Sequence, residues 1–471
     1  MKLKAKIHKF EQNGEYILLD INSGAVHVID KMIYDIMDIF DGGNDAEVLE
    51  KLSASYPRAD LAEALSELHE LMEAGELFAP DIDVPPTFKE KGLVKSLCLM
   101  VAQDCNLRCK YCFGDGGSYG QERAVMSPEV GCRAIDYMLE NCGPFRKHFE
   151  VDFFGGEPLM NMKTVKAVAE HVHELEKAKG VKIKLTMTTN GMLLNDENIK
   201  WLNDNNVSVV ISTDGRREVH DRMRPDAGGH GTYDKVMKNF KKFVDSRKGE
   251  HYYMRGTYTN ENLDFTEDVL AMHDAGFDVL SMEPVVLKDS PLALREEHLP
   301  RIYEEYDRLT EAYLKRHREG KGFFFFHFNM DLSNGPCVAK RLSGCGAGHE
   351  YFAVAENGDL YPCHQFVGRE GYKLGSIYDG VTNKELPQYF RESHVLNKEK
   401  CRDCWARFFC SGGCHANDDL FHGDIRKSYE LGCELQKKRL ECAIYVQAML
   451  ALEKMEQGEK VGEFTTAEGI R

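Results

Sequence analysis

Long apolar runs are missing from this sequence. No stretch approaches the roughly 18 residues that a membrane-spanning helix needs, and no secretory signal pattern opens the chain. The start, Met1-Lys2-Leu3-Lys4, leads straight into alternating residues, so the expectation is a cytoplasmic protein with no membrane partner. Positive charge is in deficit: 60 Lys and Arg face 77 Asp and Glu, a net charge of −17. Duplex binders draw most of their affinity from phosphate contacts, so nucleic acid is not the expected partner. Internal repeats and low-complexity tracts are absent. A disulfide scaffold is excluded too, because 15 cysteines in 471 residues fall far below the roughly 8–10 % of such chains.

Hydrophobic residues make up 42 % and charged residues 29 %, the balance of a globular chain with ample core. At roughly 150 residues per domain, about three domains are expected. Residues 1–90 read as one unit. Strand-like stretches at Lys4–Phe10, Glu15–Asp20 and Ala25–Asp30 precede helical patterns at Lys31–Phe40, Ala46–Ser53 and Asp60–Ala74, with Asp60 as N-cap and Gly75 as stop signal. The pattern suggests a winged-helix-like module, closed by the linker Pro80–Pro86.

From residue 95 to 320 short apolar strands alternate with helices. The expected strands are Ser96–Ala102, Glu150–Phe154, Lys182–Thr188, Val207–Ser212, Tyr252–Tyr258 and Val279–Pro284. The expected helices include Pro128–Asn141, Met162–Ala178, Asp234–Asp245 and, bridging onward, Leu292–Arg318. Repeated βα units imply a parallel sheet, and six of them fit a partial (β/α)6 barrel in the α/β class. Its site is expected at the C-terminal strand ends. A cysteine-rich region over 335–445 and a polar tail over 458–471 complete the chain.

Chemistry concentrates in the cysteines, which in a reducing compartment read as metal ligands or catalytic groups. Cys105, Cys109 and Cys112 follow the first barrel strand. Three thiolates from one loop suit an iron–sulfur cubane with one open iron, while zinc or unrelated core cysteines are the alternatives. Further on come Cys345, Cys363, Cys401, Cys404, Cys410, Cys414 and Cys433, enough for two four-coordinate centres short by one ligand. Paired zinc ribbons are the alternative there. Cys98, Cys132, Cys142 and Cys442 lack partner spacing and read as core. The aromatic run Phe323–Phe328 reads as a core strand, with no role for His327.

The segment Cys105-Asn-Leu-Arg-Cys109-Lys-Tyr111-Cys112 resembles the signature of the radical S-adenosylmethionine (SAM) superfamily. That resemblance implies a [4Fe–4S] cluster whose open iron binds SAM, and a 5′-deoxyadenosyl radical that abstracts hydrogen from the substrate. Gly155-Gly156-Glu157-Pro158 resembles the family's SAM motif, and the segment from Ser212 to Arg224 resembles its ribose and carboxylate contacts. The SAM-binding residues implied are Tyr111, Gly156, Glu157, Ser212 and Arg224. The C-terminal cysteines resemble a SPASM extension with two auxiliary clusters, one on Cys401, Cys404, Cys410 and Cys433, the other on Cys345, Cys363 and Cys414. Three [4Fe–4S] clusters follow in all. Cys337 is either the missing ligand or leaves an iron open for a substrate thiolate.

Taken together the regions resemble the SCIFF maturases, which act on small six-cysteine peptides. The resemblance implies thioether crosslinks in a ribosomally made, cysteine-rich precursor peptide. Its leader would pair with Ala25–Asp30 beside the helix Asp60–Ala74 by strand addition. Acidic stretches at Asp41–Glu50 and Glu63–Glu76 argue against a DNA-binding winged helix. A flavodoxin or ferredoxin is the electron donor implied, and no catalytic acid or base is assigned. Two other readings stand beside this one. The first is an anaerobic sulfatase-maturing enzyme, whose usual Asp after the cysteine matching Cys363 is here His364. The second is a non-catalytic, zinc-stabilised peptide-binding protein.

Overall fold

The computed structural model describes residues 6–84, 93–332, 335 and 338–458. The chain opens with β1 (Ile7–Gln12), β2 (Glu15–Asp20) and β3 (Val26–Ile29), an antiparallel sheet in that order, then α1 (Lys31–Ile36), α2 (Asp45–Leu52) and α3 (Arg58–Ala74). The first strand lies later than the alternation suggests. Asn13 and Gly14 take φ of 52° and 84°, the left-handed pair of a tight hairpin turn, which sets Gln12 opposite Glu15. The third helix begins at Arg58 behind Pro57, not at an Asp60 cap. Asp60 instead sits in the first turn, where its charge suits the helix dipole. Gly75, at φ 76°, ends the helix as expected.

β2 faces two cores at once. Leu18 joins Ile36, Phe40, Leu65 and Phe78 in a core of the N-terminal unit, while Ile17 and Leu19 belong to the principal core. The unit is therefore built into the body.

The body is carried by β4 (Ser96–Ala102), β5 (His148–Gly155), β6 (Lys182–Thr189), β7 (Ser208–Ser212), β8 (Tyr252–Tyr258) and β9 (Val279–Pro284), joined largely by helices. Each pairs in parallel with the next. On β5, β6 and β7 alternate residues such as Val151, Leu185 and Val209 are buried, while the positions between them are more exposed.

The sheet goes beyond the expected six strands. β10 (Phe324–Phe325) adds in parallel to β9, and β11 (Tyr351–Val354) adds in parallel to β4. The antiparallel β12 (Asp359–Tyr361), β13 (Gly375–Ser376) and β14 (Gly380–Val381) follow, giving an 11-stranded sheet. The cysteine-rich region thus continues the same sheet.

Two other expectations are corrected. The bridging helix starts at Leu299, with Pro300 in its first turn, because proline lacks the N–H an earlier start would bond. In the aromatic run only Phe324–Phe325 is strand, and Phe326–Phe328 forms a 3-10 turn. Cys98, Cys142 and Cys442 are buried as expected, whereas Cys132 is half-exposed. No helix among the described residues is long and apolar enough to cross a membrane. Cys337 and residues 459–471 lie outside the described residues.

One buried ion pair ties the cysteine-rich loops together. The Lys398 ammonium donates to Asp418 at 2.6 Å and to the Gly412 carbonyl at 2.9 Å, and Asp418 also accepts from the Tyr429 N–H at 2.9 Å. Lys398→Met removes one partner of a buried pair and is expected to cost about 3–5 kcal/mol. Urea unfolding checks this, and a wild-type midpoint would contradict it.

Candidate active site

The C-terminal ends of the parallel strands converge on one cavity of about 950 Å³. Cys105, Cys109 and Cys112 line it from the loop after β4, and Cys410, Cys414 and Cys433 line it from the cysteine-rich region. Interlocked glycines shape the first loop. A Cβ on Gly155 would lie 2.2 Å from the Ala102 carbonyl oxygen, and one on Gly156 would lie 2.2 Å from that of Asp104. These glycines therefore let the end of β5 press against the cysteine loop, and Gly156 still reaches the cavity wall.

The Glu157 side chain turns into the protein. Its carboxylate is fully buried and does not line the cavity. It accepts from the Asn190 N–H at 2.8 Å, the Leu159 N–H at 3.0 Å and the Thr189 hydroxyl at 2.8 Å. A carboxylate that meets these inward-facing donors is held away from the ligand space. Asn190 in turn donates its side-chain amide to Asn106 at 2.8 Å and to the Cys105 sulfur at 3.5 Å. Glu157 thus braces the cysteine loop through Asn190, a role the motif alone does not reveal.

Asp214 is the second hub. Fully buried, it accepts from the Tyr111 hydroxyl at 2.7 Å, from Arg224 Nε at 3.0 Å and from the Thr257 N–H at 3.1 Å. Arg224 lies 5.4 Å from the centre of the Tyr111 ring. The expected SAM contacts Tyr111, Ser212 and Arg224 all line the cavity, so the structure brings together every one of that set except Glu157. The Asp214 hub went unassigned at the sequence level, although it lies two residues after Ser212.

The cysteines have cysteine neighbours across the fold. Burial, then the Glu157 carboxylate, pushes the Cys105 thiol up to about 12, with Cys109 and Cys112 adding to the effect. Cys433 is pushed up to about 12 by burial and by the neighbouring Cys410, Cys401 and Cys404. Burial also raises Cys363, with Cys414 and Cys345 beside it. Such thiols stay protonated near neutral pH unless a metal cation takes the thiolate. Three thiols from one loop face one cavity, a donor set one short of a closed tetrahedral site, and so fit a [4Fe–4S] group with one open iron.

The remaining wall is polar. His364 approaches the Tyr351 hydroxyl through Nδ1 at 3.3 Å, and burial lowers its pKa to about 4, leaving a neutral imidazole. Burial opposes ionisation of Glu283, yet His327, Arg439 and Arg255 together hold its carboxyl well below the usual range. His327, expected to be idle, lies 3.2 Å from Glu283.

Glu157 generates a stability prediction. Burial lifts its carboxyl to about 7, above an unfolded value of about 4.3. The folded state therefore holds a proton that the unfolded chain has lost. Its stabilising contribution is full below about pH 4.3 and is lost as pH rises through about 7, at most about 4 kcal/mol. Urea unfolding between pH 5 and 8 should show this loss in the wild type and a flatter profile in Glu157→Gln. Parallel profiles would contradict the assignment.

Comparison with known proteins bears on this site. Residues 99–287 match the radical SAM superfamily, and residues 345–405 match SPASM, an iron–sulfur cluster-binding domain. The chain is similar to the cysteine-type anaerobic sulfatase-maturating enzyme of Clostridium novyi (strain NT), with 26% identity over 353 residues, 69% of this chain and 90% of that protein. Its fold is similar to that of native anSMEcpe with bound AdoMet, with TM-score 0.64 and 21% identity over 76% of this chain and 99% of that one. It is also similar to Streptococcus suis SuiB bound to precursor peptide SuiA, with TM-score 0.50 and 16% identity over 90% of this chain and 97% of that one. With the two domains matched in this order around a single cysteine-lined cavity, the chain is a radical SAM/SPASM protein.

Proposed function

We propose that this protein is a peptide maturase that installs intramolecular thioether crosslinks, cysteine sulfur to carbon, in a ribosomally made cysteine-rich precursor peptide. The observation that carries the reading is that one cavity faces both the Cys105–Cys112 loop and the auxiliary cysteines Cys410, Cys414 and Cys433. A peptide segment held there has radical chemistry on one side and sulfur-binding metal on the other. Similarity to SuiB, solved with its precursor peptide, and to a sulfatase-maturating enzyme supports a peptide or protein substrate.

In this reading Cys105, Cys109 and Cys112 hold the first [4Fe–4S] cluster. Cys401, Cys404, Cys410 and Cys433 hold a second, and Cys345, Cys363 and Cys414 a third. Bound SAM and the clusters supply a hydrogen-abstracting radical and a sink for the electron released on coupling. The chain's own residues do the rest. Asp214 fixes Tyr111 and Arg224, leaving the Arg224 fork to hold the SAM carboxylate with Ser212 beside it. Glu157 and Asn190 fix the cysteine loop, and the closed wall orients the peptide and excludes water.

The leader docks on the N-terminal unit. β3 pairs with β2 on one side and has no strand partner on the other among the described residues. The Glu76 carbonyl, just past α3, lies 3.3 Å from His27 on β3, so the helix end and the strand edge form one groove suited to strand addition. A cytoplasmic flavodoxin or ferredoxin is the proposed electron donor.

Anaerobic turnover with SAM, reductant and a cysteine-rich precursor peptide tests the reading by product mass. Each crosslink should remove two hydrogens and one alkylatable thiol, and Cys105→Ala should abolish SAM cleavage. An aldehyde formed with loss of the cysteine sulfur would favour sulfatase maturation and overturn the thioether assignment. Removing the leader from the peptide should raise KM about tenfold or more while sparing uncoupled SAM cleavage. An unchanged KM would overturn the docking step.

A further inference from the structure

Three arginines line the cavity, and two of them are anchored by carboxylates of this chain. Arg224 donates to Asp214 at 3.0 Å, and Arg439 donates to Glu283 at 3.2 Å. The third, Arg255, lines the same wall. It has no hydrogen bond or ion pair through its side chain among the described residues. It sits on β8, in register with Ser212 on β7 and Ser281 on β9. Its half-buried side chain lines the cavity, as does Thr257 two residues on.

Glu283, on the neighbouring strand, is already held by Arg439 and His327. Arg255 shares the cavity lining with both His364 and Glu283. A guanidinium carries five donors in a rigid fork matched to carboxylate and carbonyl oxygens. Facing the cavity without a protein acceptor, such a group is placed to meet a ligand oxygen.

We infer that Arg255 is a substrate-binding residue, an oxygen-acceptor subsite that grips a carboxylate or carbonyl of the peptide between the cysteine loop and the His364 wall. This deepens the peptide-maturase reading and rests on it. The SAM carboxylate offers the same chemistry. Arg224, however, is the arginine beside Tyr111 and Cys109, whereas Arg255 stands on β8 beside the strand that carries Glu283. The grip orients the residue that loses hydrogen, so its loss should uncouple SAM cleavage from peptide modification.

The test compares reconstituted wild type, Arg255→Gln and Arg255→Lys. The readouts are peptide Kd by fluorescence anisotropy in the presence of SAM, SAM Kd, iron content, and the ratio of 5′-deoxyadenosine to modified peptide. Arg255→Gln should weaken peptide binding about tenfold and raise that ratio several-fold. SAM Kd should stay within about twofold, with iron content unchanged, and Arg255→Lys should recover part of the peptide binding. Unchanged peptide Kd and coupling would overturn the inference. A rise in SAM Kd with unchanged peptide Kd would assign the grip to SAM and overturn it as well. If the wild type binds the peptide yet yields no product lacking two hydrogens, the thioether reading fails, and the peptide Kd of the variants still decides the role of Arg255.

Discussion

Burying thiols is the constraint around which this structure is arranged. Cys105, Cys363 and Cys433 are all held protonated by their surroundings, and a protonated thiol is a poor ligand and a poor nucleophile. Only cationic metal reverses that preference, so the fold must keep the sulfurs in position for it. Three buried polar arrangements do so. Glu157 with Asn190 holds Cys105, Asp214 holds Tyr111 and Arg224 over the first loop, and Lys398 with Asp418 holds the later loops. Each consists of paired donors and acceptors, as a low-dielectric interior requires.

Sheet continuity brings the sulfur sets to one space. Because β11 pairs in parallel with β4, Tyr351 and His364 stand beside the strand that launches the first cysteine loop. The N-terminal unit is stitched to the same region. His8 stacks on Trp405 with ring centres 3.9 Å apart, and Arg407 donates to Asn22 at 2.6 Å. Trp405 follows Cys404 directly. A peptide docked on β3 therefore lies on a unit in contact with the loop that carries the Cys401–Cys410 set, and this links recognition to the chemistry in physical terms.

Much of this was legible in the sequence, for local reasons. Ser96–Ala102, Tyr252–Tyr258 and Val279–Pro284 are short, strongly apolar strands between turn signals, and their limits match the structure. The Cys105–Cys112 grouping was legible because spacing within one loop confines its sulfurs, whereas the grouping of the later cysteines followed from the resemblance. What escaped depends on distant pairing. Nothing near Tyr351 announces that it will lie against Ser96, and nothing near Phe324 announces Val279. Glu157 misled because its motif marks a place on a strand end without showing which way the carboxylate turns. Asp214, His327 and Arg255 take their meaning from partners, or from a missing partner, that only the folded chain defines.

The most direct measurement is iron, sulfide and zinc content after strictly anaerobic purification and reconstitution. The account predicts about 12 irons per chain with matching sulfide, three [4Fe–4S] clusters. About two zinc ions with little or no iron would contradict it, leaving a metal-stabilised protein without radical chemistry.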